Sequence, residues 1–324
     1  MVHHPEVDAA IAAIEDRSLS PQQAADEVAK QCGQFIGPAP SHGSPTEGDE
    51  EGCEDSRVDQ FFWSFWNEVL RLAQEDVSMH DRIAHIMAAL KARGSEGCEG
   101  WKLWGEETDW SRLPVFSLAS REEMNGPQPF IKERGFLDIT APKAQALLAG
   151  DVPTDDEPDT RELVRCRKVW LNTNAFLARL WALNVWDGAF LGIASMRMHL
   201  EPLTLSSTSG PTGTVGRWRD GCADPDELQI EVAALWLRIA GAKMYACREI
   251  MGPKGNPDWE ANRGCPGGSG GTWDGVDGYH PDRWRHWKGI LQEVAKGSWR
   301  RNVIEAAQAA IEAMEKYERE AASE

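Results

Sequence analysis

The stretch DTRELVRCRKVWLNTNAFLARL, residues 159–180, decides the fold class. Within it Leu163, Cys166, Trp170, Thr173, Leu177 and Leu180 recur every three or four positions, the period of one buried helical face. The spacing predicts a helix opening at Asp159 or Thr160, with Asn172 and Arg179 on its opposite side. Working outward, the same period returns in nearly every segment that is not rich in glycine or proline. Pro5 to Asp16 aligns Val7, Ile11 and Ile14; Ser20 caps a helix with Pro21 in its first turn; 57–74 carries Phe61, Phe62, Phe65, Trp66 and Val69. Ser78 and Asp81 head another helix that ends near Gly94, Pro142 to Leu148 is a short one, and Asp187 to Glu201 is apolar nearly all round. Asp224, Pro225 and Glu227 form a start signal before Leu228, Val232 and Trp236, Pro281 begins a further helix, and Ser298 caps the last. Alternating runs of β-branched residues are missing, so the chain reads as all-α, a single multi-helix bundle with irregular loops.

Three boundaries are expected. Residues 1–36 form a helical hairpin, 37–56 an acidic flexible linker too poor in apolar residues to offset its ordering entropy, and 57–320 the main helical domain. Nine glycines between Gly252 and Gly278, without periodicity, mark 251–280 as a mobile loop. Residues 95–158, with Trp101, Trp104 and Trp110, read as irregular packing over the core.

Charge narrows the function classes. With 34 Lys+Arg against 52 Asp+Glu the formal charge is -18, a field that repels phosphate backbones and anionic lipid. No nucleic-acid or membrane partner is expected, and the partner is instead an unknown protein or a small hydrophobic ligand. The longest apolar stretch, Leu180 to Met196, is broken by Asp187 and falls short of a membrane span. Seven cysteines, none in a CxxC pair, read as free thiols, and Met1 to Asp16 lacks the apolar core of an export signal. The expected compartment is the cytoplasm, with the nucleus as alternative.

No motif brings chemistry with it. Asp155-Asp156-Glu157-Pro158-Asp159 spells DDxxD, but Pro153 and Pro158 deny the helix that would present those carboxylates to a metal, so no metal site and no cofactor are assigned. Gly264 to Thr272 lacks the lysine and strand of a phosphate loop, His80 and His85 are five apart rather than four, and no GxSxG elbow is present. Arg283-Trp284-Arg285-His286-Trp287-Lys288 mixes bases with aromatics as an RNA contact does, against the sign of the net charge. The fifteen tryptophans include Trp284 and Trp287, which share one helix face and serve either as core or as an aromatic ligand wall. Asn172, Asn174 and Arg179 are the polar group inside an apolar helix, a structural network or an anion site. These five residues are the candidate ligand-binding set, and no catalytic residue is assigned.

Phe65-Trp66, Met79-His80-Asp81-Arg82-Ile83, Leu103-Trp104, Leu113-Pro114, Arg121-Glu122, the run Trp170 to Leu180, the Ala233 to Tyr245 helix and Gly278 to Trp284 together resemble a widespread family of fungal proteins with a domain of unknown function. The resemblance spans roughly residues 55–318. It implies an all-helical intracellular domain and carries over no catalytic residue. Two departures stand out: the glycine-rich insertion around Gly264 to Gly278, and Gly188 to Met198, where the family's usual Trp and Asp are missing. The expectation is therefore a non-enzymatic binding or interaction protein, with an enzyme or accessory protein of fungal specialised metabolism acting on a planar hydrophobic substrate as the rival.

Overall fold

A computed structural model describes residues 4–37, 53–203 and 225–323, and the chain divides into two compact units, Met1–Met124 and Asn125–Glu324. Among the described residues there are eleven α-helices and only two short β-hairpins, so the fold is all-α.

In the first unit α1 (Pro5–Glu15) and α2 (Pro21–Ile36) pack on each other and against α3 (Cys53–Glu75) and α4 (His80–Ala92). Ser20 caps α2 by accepting from Gln23 N, while the Gln23 side chain accepts from Ser20 N, a reciprocal pair that satisfies two helix-start donors. The hairpin is no satellite. Arg82 of α4 donates to the carbonyls of Ile14, Asp16 and Leu19 at 2.6, 2.6 and 2.8 Å, filling acceptors that the end of α1 leaves open. The first unit runs on through α5 (Phe116–Glu122) to Met124. Most of the expected linker, 38–52, lies outside the described residues. Along α3, Phe61, Phe62, Phe65, Trp66 and Val69 are fully buried, and Phe62 meets Trp110 and Trp101 edge-on at 5.2 and 5.7 Å.

Residues 95–124 hold a structure that periodicity did not foresee. β1 (Lys102–Leu103) pairs antiparallel with β2 (Glu106–Glu107), with Leu103 opposite Glu106, so Trp104 and Gly105 form a two-residue turn. Strands of two residues are too short for any alternation to register.

The second unit contains the hairpin β3 (Phe130–Ile131) and β4 (Gly135–Phe136), then α6 (Pro142–Leu148), α7 (Pro158–Ala182), α8 (Ala189–His199), α9 (Asp226–Ala246), α10 (Pro281–Lys296) and α11 (Arg301–Ala321). α9 is the centre, touching α7, α8 and α11, and α10 lies on α11. Pro158 opens α7 because a proline in the first turn forfeits no hydrogen bond. α9 begins at Asp226 with Pro225 as cap, one residue later than the sequence signal; Asp224 lies outside the described residues.

Candidate functional site

Of the five residues chosen from sequence, Asn172, Asn174 and Arg179 lie on α7 and Trp284 and Trp287 on α10. Asn174 is fully buried on α7, donating to Trp170 O at 3.0 Å and accepting from the Trp236 indole of α9 at 2.9 Å. Its amide is thereby used in joining two helices. Trp284 donates to Glu318 of α11 at 2.8 Å, and Trp287 donates to Glu201 at 2.8 Å. Asn172 and Arg179 are half-buried on α7 and have their own partners. Asn174, Trp284 and Trp287 thus hydrogen-bond to α9, to α11 and to Glu201 respectively. Replacing Trp236 with phenylalanine is expected to cost about 2–4 kcal/mol, because it opens a small void and orphans the buried Asn174 carbonyl. Urea denaturation measures this, and a cost below 1 kcal/mol would show the pair to be idle.

The basic run on α10 is likewise dispersed: Arg283 is buried, Arg285 pairs with Asp282, and Lys288 bonds Glu318 at 2.7 Å. Arg283 is the hub of the second unit. Its Nε and Nη2 meet Glu201 at 2.7 and 3.0 Å, Nη2 also reaches Gly268 O at 2.8 Å, and Nη1 takes the carbonyls of Gly267 and Gly278. The guanidinium sits 5.7 Å from the ring centres of both Trp273 and Trp287. Glu201 also accepts Gly270 N at 2.7 Å, and its backbone carbonyl takes Thr272 N and Oγ1, both at 2.9 Å. The glycine-rich segment expected to be loose is thus bound to a buried ion pair along much of its length. Glycine is required at 270, where an added Cβ would stand 1.9 Å from Arg197 O.

The acidic run holds no metal cluster; among the described residues no group of three His, Cys, Asp or Glu is placed to bind one. Asp155 instead braces the start of α7. The Thr160 hydroxyl and Lys143 ammonium on its carboxylate hold its pKa down at about 2. At the start of α9 the opposite happens: burial, then repulsion from Glu227, pushes Asp226 up to about 6. A carboxyl whose folded pKa exceeds its unfolded value binds more protons when folded, so its contribution is favourable at low pH and is lost as pH rises from about 4 through about 6. Asp226→Asn is expected to gain on the wild type across that window, by on the order of 1–2 kcal/mol at neutral pH. Parallel urea titrations at a series of pH values check this, and a pH-independent difference would reject it.

A different surface gathers features that the fold does not need. In the first unit an open depression of about 240 Å³ is lined by Leu103, Trp104, Glu106, Glu107, Arg112 and Leu118, among others, with Leu113 and Val115 in its floor. Trp104 is 62% exposed and has φ 54°, followed by Gly105 at φ 82°. Two successive positive φ values are what a right-twisted two-residue hairpin turn requires, and asparagine, aspartate or glycine normally fills the first. A tryptophan there is strained by roughly 1–2 kcal/mol and, being exposed, recovers little by burial. Leu113 and Val115 are also left-handed, at φ 46° and 66°, the second a severe outlier for a β-branched residue. Between them Pro114 offers its carbonyl to the buried Trp66 indole at 2.6 Å. Strain of this kind persists only where surrounding contacts impose it, and it clusters at functional sites.

Residues 66–291 match the family described as "protein of unknown function (DUF3632)". The chain belongs to that family. No curated protein and no solved structure matches it. The DUF3632 match begins at Trp66, whose indole anchors Pro114, and takes in the whole depression as well as the Glu201–Arg283 hub. A family with a domain of unknown function was expected and is found, and its description assigns no activity. Among the described residues no helix is long and apolar enough to cross a membrane.

Sequence reasoning placed Trp104 in irregular packing and in the family motif, and included none of Trp104, Glu106, Glu107 and Leu118 among the site residues. The available signal was Trp104-Gly105 between the pairs Lys102-Leu103 and Glu106-Glu107, a two-residue turn with tryptophan in the place of asparagine.

Proposed function

We propose that the protein is a non-enzymatic intracellular interaction protein that binds another protein through the Trp104 depression. The observation that carries this is the turn itself: a large apolar side chain held out in solvent by a backbone conformation that disfavours it. Tryptophan is among the residues that dominate binding energy at protein interfaces. A preset turn also spares the ordering cost that a flexible tryptophan would incur on binding. Cys32, Cys98, Cys247 and Cys265 are in no disulfide, which fits a reducing interior.

Trp104→Asn tests the reading cleanly, since asparagine suits the turn and leaves the fold intact. Wild type and variant are immobilised, exposed to cell lysate, and the retained proteins quantified by mass spectrometry. Phe136→Asn, which removes a 69% exposed aromatic from the second unit, serves as control. Proteins retained by wild type and control but lost by Trp104→Asn are the expected result. Identical retention by all three would place the function elsewhere.

A further inference from the structure

We draw no further inference here: the strongest candidate, the Trp104 depression beside the β1–β2 hairpin, belongs to the site already described, and nothing in the structure shows what covers it.

Discussion

Replacing Glu201 with glutamine is expected to destabilise the second unit by about 3–5 kcal/mol, the usual result of removing one member of a buried ion pair. Both partners are fully excluded from solvent. The two carboxylate oxygens receive only donors: Oε1 takes Arg283 Nε and the Trp287 indole, and Oε2 takes Arg283 Nη2 and Gly270 N. A glutamine amide must turn its own N–H groups towards one of these sets, so the variant loses the charge and also sets donor against donor. Every N–H of the guanidinium is engaged in the native state, two of them on Glu201 and three on loop carbonyls. The damage should therefore spread into 252–278. Urea denaturation gives the stability change, and hydrogen exchange should show faster exchange at Gly270 and Thr272, whose amides bond Glu201. A loss below about 1 kcal/mol with unchanged exchange would mean that the pair organises nothing.

Trp66→Ala is expected to cost the first unit about 3–5 kcal/mol by emptying a fully buried site. Its ring lies 5.1 Å from that of Phe116 and 4.7 Å from that of Phe65, so the void would open where α3 meets α5. Trp66→Phe is the finer probe. It retains an aromatic ring but removes the donor to Pro114 O, for an expected loss of about 1–3 kcal/mol and a loosened 113–115 turn. If phenylalanine costs as much as alanine, ring size alone matters; if it costs nothing and amide exchange at Val115 is unchanged, the indole is not what imposes the strained backbone.

Why some features were readable before the fold and others were not follows from how far apart their causes lie. Ser20 with Pro21 is a signal complete within two residues, and Pro142 and Pro281 open α6 and α10 where they were expected, so these helix starts could be read locally. Trp66, Trp170 and Trp236 fall on the apolar stripes of α3, α7 and α9 and are buried there. Glu201 and Arg283, by contrast, are 82 positions apart, and nothing near either one announces the other. The loop 251–280 looked mobile because its composition was weighed without that buried charge to tie it down. Asn174 looked like a site because a polar residue in an apolar helix is costly until a partner is found, and its partner is 62 positions away on α9.

Periodicity and capping signals determined the helical class and most helix starts, because a helix is built from contacts three and four residues apart. Which polar groups were spent holding the core together, and which were left facing solvent, was settled only when distant segments met. Trp104 shows the difference: its turn is written in two adjacent residues, but its exposure depends on what the rest of the first unit declines to place over it.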